Sequence, residues 1–212
     1  MNIKVCGVTS LKQLKQLDGL DIDYAGFIFL KEVPQYLGDK ISKRELKNAD
    51  FDIKKVGVFA DPEMIDVLDA IDDYGLDAVQ LHGSESPEMC EDLSSEVEVI
   101  KAFQLGAGNL NIDKMIEPYD AVCDYYLFDA GSSRKDIGGT SHQFDWSLLD
   151  KSSIEKPFFL SGGIGLKDAA DIKAFRHSDF YGINLNSQFD KVPGEKDMAL
   201  LLQFLQALKK QK

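Results

Sequence analysis

Cysteine is scarce in this chain of 212 residues, and its pattern excludes the usual cysteine-built architectures. Cys6, Cys90 and Cys123 are widely spaced and form no CxxC. An odd number at such spacing supports neither a disulfide framework nor a zinc site. Basic residues are also in deficit, 24 Lys and Arg against 36 Asp and Glu, for a formal charge of −12. That balance argues against a nucleic-acid partner and against an anionic membrane surface. It still permits an anionic small ligand, because a local nest of backbone N–H groups can hold phosphate inside an acidic protein. No apolar run approaches the ~18 residues of a spanning helix, and no basic segment followed by an apolar stretch opens the chain. Together these absences predict a reducing, cytoplasmic setting. No His, Asp and Glu fall at metal-ligand spacing, so no metal is expected, and no Ser-His-Asp arrangement is evident. No Pro-, Gly- or Ser-rich linker divides the sequence, so residues 1–212 read as one domain.

What is present is a repeating pattern of short apolar runs, each followed by a turn and usually by a helical pattern. The runs are Ile3–Val5, Tyr24–Phe29, Lys55–Phe59, Ala78–Leu81, Val99–Phe103, Tyr125–Asp129, Pro157–Ser161 and Tyr181–Leu185. The second is nearly all apolar, as a strand buried on both faces should be. Ser10 and Gln13 have the spacing of a helix start, and Asp61-Pro62 and Ser86-Pro87 read as an N-cap followed by Pro at the first helical position. Gly106 to Glu117 is weakly patterned, which predicts a degenerate helix after the fifth strand. Met198, Leu201, Leu202, Leu205 and Leu208 form the apolar face of a last helix with a basic end at Lys209, Lys210 and Lys212. Strict strand–helix alternation implies parallel strands with right-handed crossovers. Eight such units close into a compact single-domain α/β fold, the (β/α)8 TIM barrel. A doubly wound open sheet is the rival, but it would more often carry five or six strands and a GxGxxG after the first, which is absent here.

In a barrel the C-terminal strand ends share one face, and active sites lie there. The residues at those ends are Cys6, His82, Asp129, Ser161-Gly162-Gly163, and Asn184, Asn186 and Ser187. Each has a bland reading beside the functional one. Cys6 alone is more often a small buried hydrophobe. Asp129, ending an apolar run, suits a general acid through partial desolvation or simply caps the next turn. His82 either titrates or is a hydrogen-bonded support. Gly162 and Gly163 either make a tight turn or, with the Asn/Ser cluster of the eighth unit, form the phosphate site of a barrel. The polar stretch Ala130 to Gln143 is longer than most connections and is a candidate functional loop.

The segments KVCGVT, VGVF, VQLHGSES, VIKAF, FDA followed by GGTSHQFDW, SGGI and NLNSQFDKVPGEKD occur in this order along nearly the whole chain. In this the sequence resembles the phosphoribosylanthranilate isomerases, (β/α)8 enzymes of tryptophan synthesis that carry out an Amadori rearrangement. The resemblance implies that Cys6 is the general base and Asp129 the general acid. It places substrate or phosphate contacts at Gln35, His82, Gly162, Gly163, Gly182, Asn184, Asn186 and Ser187. It implies a small-molecule phosphoribosyl substrate and no cofactor, and leaves monomer and homodimer both open. Lys4, two residues before Cys6, is expected to point into the barrel as Cys6 does.

The chain departs from the family pattern at three places. Gln35 stands where the family usually has an Arg that holds the anthranilate carboxylate, Asn184 where it usually has Asp, and Ser141 where it usually has Gly. Losing the Arg removes a charge-assisted bidentate contact. The first two changes cancel in net charge, so they are expected to be coupled, with Lys31, Arg134 or Lys135 supplying the cation. Two alternatives therefore stand beside the isomerase: a related phosphosugar isomerase or a paralogue with altered substrate, and a phosphate-binding barrel without catalysis. Cys6 and Asp129 argue against the last, since a binding module needs neither.

Overall fold

The computed structural model describes residues 1–105, 111–131, 137–139 and 143–209. Arg134, Lys135, Ser141, His142, Lys210 and Lys212 lie outside the described residues. Eight parallel strands close in sequence order: β1 (Asn2–Cys6), β2 (Tyr24–Ile28), β3 (Lys54–Phe59), β4 (Ala78–Leu81), β5 (Glu98–Gln104), β6 (Tyr125–Asp129), β7 (Phe158–Leu160) and β8 (Phe180–Leu185). The first and last strands pair through Lys4–Asn184 and Val5–Leu185, which seals the barrel. The expected TIM barrel is therefore the observed fold.

The helices form where capping and apolar spacing agree. In α1 (Leu11–Asp18) the Ser10 side chain accepts from Gln13 N, and Leu14 and Leu17 face inward. In α4 (Pro87–Ser94) Ser86 caps the Met89 N–H, Pro87 opens the helix, and Cys90 and Leu93 are buried. The helix α7 (Met198–Lys209) buries Leu201, Phe204 and Leu205, an i, i+3, i+4 stripe. The remaining α-helices are α2 (Lys43–Lys47), α3 (Met64–Tyr74), α5 (Ile112–Ile116) and α6 (Ala169–Ala174). The degenerate helix after β5 is the five-residue α5, prolonged by a 3-10 turn over Glu117–Tyr119. Between β6 and β7 the described residues hold a 3-10 helix, Trp146–Lys151, capped by Asp145.

Asp61 is a correction. It does not cap α3, which starts after Glu63. Asp61 lies at φ +48°, and its carboxylate accepts from Ser84 N instead. The β4–α4 loop thus takes the carboxylate that a helix start would have used. The antiparallel hairpin of β9 (Asp190–Val192) and β10 (Glu195–Lys196) is a further departure from simple strand–helix alternation.

Two apolar layers frame the barrel wall. Outside, the strands and helices bury one large cluster that includes Val5, Leu14, Val67, Leu93, Phe128 and Phe204. Inside, Tyr24, Val56, Ala78, Ile100, Ala102, Leu127 and Phe159 fill the lumen. Among the described residues, no helix is long and apolar enough to cross a membrane.

Candidate active site

Above that apolar filling, the C-terminal strand ends enclose a cavity of about 380 Å³, counting its open mouth. Its lining includes Cys6, His82, Asp129, Gly162, Asn184 and Ser187. Gly163 and Asn186 also line it, so most of the residues singled out in the sequence meet in one place.

The end of β1 is shaped by Gly7. Its φ of +78° is a left-handed conformation that favours glycine, and a Cβ there would come within 2.9 Å of Asn186 Oδ1. The turn lets Gly7 N and Val8 N both donate to Gly26 O, at 2.9 and 3.0 Å. Cys6 is thereby held at the rim of the lumen, 2% exposed. Lys4 is wholly buried below it. Burial lowers the Lys4 pKa, while the Cys6 thiol and the Asp129 carboxylate pull it upward. Its ammonium donates to Asn184 Oδ1 at 2.9 Å.

Asp129 ends β6 with both oxygens engaged. Oδ1 accepts from Gly131 N at 2.7 Å and Oδ2 from Ser161 Oγ at 2.7 Å. Ser161 Oγ in turn accepts from Asn184 Nδ2 at 3.0 Å. Four side chains, Lys4, Asn184, Ser161 and Asp129, thus form one hydrogen-bonded chain across β1, β8, β7 and β6.

His82 follows β4, with Nδ1 accepting from Gln80 Nε2 at 3.1 Å. This arrangement puts the ring proton on Nε2, and among the described residues that buried atom has no hydrogen-bond partner. Burial is the main cause lowering the His82 pKa, followed by an opposing pull from Asp129. The imidazole therefore offers a neutral N–H donor to the cavity. Behind it, Lys101 and Glu85 form an ion pair at 2.7 Å with side chains 3% and 1% exposed. The pair is well satisfied: Lys101 also donates to Gly83 O, and Glu85 accepts from Asp61 N and Gly83 N.

The wall of β7 and β8 offers donors to an anion. Gly162 sits at φ +91°, and a Cβ there would collide with Ala130 N at 2.6 Å. Among the described residues, the N–H groups of Gly162, Gly163 and Ser187 donate to no protein acceptor. Asn186 donates to Ile137 O at 3.2 Å and accepts from Lys196 Nζ.

Two predicted contacts lie elsewhere. Gly182 is inside β8, where its close approach to Asn2 O leaves no room for a Cβ, and it does not line the cavity. Its glycine serves strand packing. Gln35 is 3% exposed and packs against Gly7, and its Nε2 donates to Gly138 O at 2.8 Å and Asp190 Oδ2 at 3.3 Å. Lys31, one of the expected replacement cations, is exposed and lines a separate recess with Phe29 and Asp66.

Sequence reasoning missed two buried cations, Lys101 and Lys196. The Pro193-Gly194 turn of the β9–β10 hairpin folds Lys196 back beneath the site, where it pairs with Asp190 and reaches Asn186. Thr9 and Gln13 anchor that turn by donating to Gly194 O. Burial lowers the Lys196 pKa, opposed by Asp190 and then Cys6. The Pro-Gly pair was a readable turn signal, but nothing in the sequence said where the returning lysine would land.

A thiol and a carboxyl face this cavity from β1 and β6, beside a neutral imidazole N–H and backbone N–H groups that have no acceptor among the described residues. Such a constellation can transfer protons on a phosphorylated ligand. Residues 3–207 match the family model described as N-(5'phosphoribosyl)anthranilate (PRA) isomerase. An N-(5'-phosphoribosyl)anthranilate isomerase from Parabacteroides distasonis is 37% identical over 210 residues, covering 98% of this chain and 93% of that one. The phosphoribosyl anthranilate isomerase from Thermotoga maritima superposes with a TM-score of 0.82 at 27% identity, covering 99% of this chain and 98% of that one. A phosphoribosyl anthranilate isomerase solved in complex with reduced 1-(o-carboxyphenylamino)-1-deoxyribulose 5-phosphate superposes at 0.79 with 25% identity, covering 99% and 98% of the two chains. The chain belongs to the N-(5'-phosphoribosyl)anthranilate isomerase family.

Proposed function

We propose that the protein converts N-(5-phosphoribosyl)anthranilate to 1-(2-carboxyphenylamino)-1-deoxyribulose 5-phosphate, with Cys6 as general base and Asp129 as general acid. The observation that carries this reading is the placement of both groups on one buried cavity whose far wall offers backbone N–H groups to a phosphate. Asp129 protonates the ribose ring oxygen, the C1′–O bond breaks, and the ring opens to a Schiff base. Cys6, as thiolate, removes the proton from C2′, and the electron pair moves into the C–N system to give an enolamine. Tautomerisation delivers a proton to C1′ and leaves a ketone at C2′. C2′ is oxidised and C1′ reduced within one molecule, so the step balances without an external oxidant. Gly162, Gly163 and Ser187 would hold the phosphate through backbone N–H groups. His82 Nε2–H would donate to the substrate beside the reacting carbons.

A second reading has its own observation. Gln35 carries no charge, and its amide nitrogen is spent on Gly138 O and Asp190. A related phosphosugar without an aromatic carboxylate would not need the missing cation. Adding phosphoribosylanthranilate to the purified protein and following the loss of substrate fluorescence separates the readings. Turnover supports the isomerase; a folded sample that leaves the signal unchanged overturns it.

A further inference from the structure

The hydrogen-bonded chain beneath the cavity has a direction, and Asn184 sets it. Lys4 Nζ donates to Asn184, and the atom of the amide that faces it is the carbonyl oxygen, at 2.9 Å. The amide nitrogen is then the atom that meets Ser161, at 3.0 Å. Because that nitrogen donates, Ser161 Oγ accepts there and its single hydroxyl proton goes to Asp129 Oδ2, at 2.7 Å. All four side chains are at most 7% exposed, so these bonds lie largely out of bulk water.

A carboxylate at position 184 would accept from Lys4 equally well, yet it has no N–H to give. It would compete with Asp129 for the one Ser161 proton. The two anions would then contend through a single hydroxyl, and the carboxyl at the cavity would lose a fixed donor. The charge arithmetic points the same way. An Arg at position 35 would stand beside Asp190, as the Gln35 amide does, and an Asp at 184 beside Lys4. With Gln35 and Asn184 both charges are gone, and Asp190 keeps Lys196 as its partner.

We propose that Asn184 is a positioning residue, whose two-ended amide commits the Ser161 hydroxyl to Asp129 and so fixes the orientation of the carboxyl that faces the substrate. The identity of that carboxyl as the acid rests on the isomerase reading; the direction of the chain does not. Asn184 therefore acts through Ser161, and the phosphate contacts belong to the backbone of β7 and β8.

The test has two arms. In turnover of phosphoribosylanthranilate, Asn184→Asp and Ser161→Ala should each lower kcat by about tenfold with KM nearly unchanged, the scale of one buried hydrogen bond at a charged group. The double variant should lose about tenfold in total and not a hundredfold, because both changes remove the same bond. Multiplicative losses, or a loss carried by KM, would overturn the proposal. The second arm needs no substrate. In a nitrogen-15 NMR spectrum, Asp129→Ala should move the Asn184 side-chain amide resonance, and should not do so in a Ser161→Ala background. Equal movement in both backgrounds overturns the relay even if the enzyme turns over. The relay stands, and the isomerase reading falls, if the NMR cycle holds without turnover. Circular dichroism checks each fold, and Ser161→Cys replaces Ser161→Ala if the alanine variant does not fold.

Discussion

The two ends of the barrel are built on opposite rules. At the N-terminal strand ends Tyr24, Tyr125, Phe159 and Tyr181 stack into an aromatic plug, with Tyr24 and Phe159 centroids 5.5 Å apart and Tyr125 and Tyr181 4.9 Å apart. Its polar atoms satisfy each other, Tyr24 OH meeting Tyr181 OH at 2.9 Å. Burial and that hydrogen bond push the Tyr24 hydroxyl well above its ordinary pKa, so it stays neutral and the plug carries no charge. At the C-terminal ends the same lumen holds Lys4, His82 and Asp129, and among the described residues His82 Nε2 and Gln35 Oε1 are left without partners. A buried polar atom without a partner costs stability. Within the lumen that cost falls at the polar end, where Gln80 Oε1 is orphaned as well, and this is the end expected to meet a ligand; outside the lumen Trp146 Nε1 also lacks a partner among the described residues.

The largest expected effect lies at the polar end. Cys6→Ser and Asp129→Asn should each lower kcat for phosphoribosylanthranilate by about 10²- to 10⁴-fold, the range of general acid–base catalysis. Thermal unfolding should stay within a few degrees of wild type, because both changes are near-isosteric. A large loss of stability with activity per folded molecule preserved would erase the division between the ends.

The plug should behave in reverse. Phe159 is fully buried in the lumen, and truncating it to alanine should cost about 3–5 kcal/mol in urea unfolding. The folded fraction should keep its KM for substrate. Tyr24→Phe is the milder probe. It removes one hydroxyl from the Tyr24–Tyr181 pair and should cost about 1 kcal/mol with turnover unchanged. A catalytic defect in either variant would show that the plug tunes the site above it.

The same contrast explains what could be read from the sequence. The eight strands announce themselves because each is a short apolar run between turn signals, and burial on both faces enforces that pattern. Cys6, Asp129 and the Gly162-Gly163 pair were legible because strand order alone carries them to one face. Contacts made by side-chain reach were not. Lys4 and Asn184 lie almost the whole chain apart and meet only when β1 closes on β8. Lys196 arrives through a hairpin whose landing place depends on Thr9 and Gln13. Asp61 looked like a helix cap because Pro follows it, yet Ser84 N competed for its carboxylate and won. Gly182 looked like part of the phosphate motif because of its neighbours, whereas its own constraint is the Asn2 backbone. The α2 start at Ser42, whose side chain accepts from Glu45 N, was overlooked because little apolar patterning follows it.

The smallest prediction tests whether the polar end stores its cost in a titratable group. Burial lowers the His82 pKa from its ordinary 6.5, opposed by Asp129 and assisted by Lys101 and Lys4. Above the unfolded value both folded and unfolded chains hold neutral imidazole, and the His82 contribution to stability is fully present. As pH falls below it the unfolded chain takes up the proton first, so stability is lost until the folded value is reached. The loss cannot exceed about 1.4 kcal/mol per pH unit. Urea unfolding of wild type and His82→Asn at about pH 7.5 and pH 5.5 isolates this contribution, since every other group is common to the two proteins and cancels in the difference. Wild type should lose about 1 kcal/mol more than the variant on acidification. Equal losses would mean that His82 accepts a proton in the folded state as readily as in the unfolded one. In that case its Nε2 is already in contact with something able to stabilise the imidazolium, and the cavity would present a cation where a neutral donor is expected.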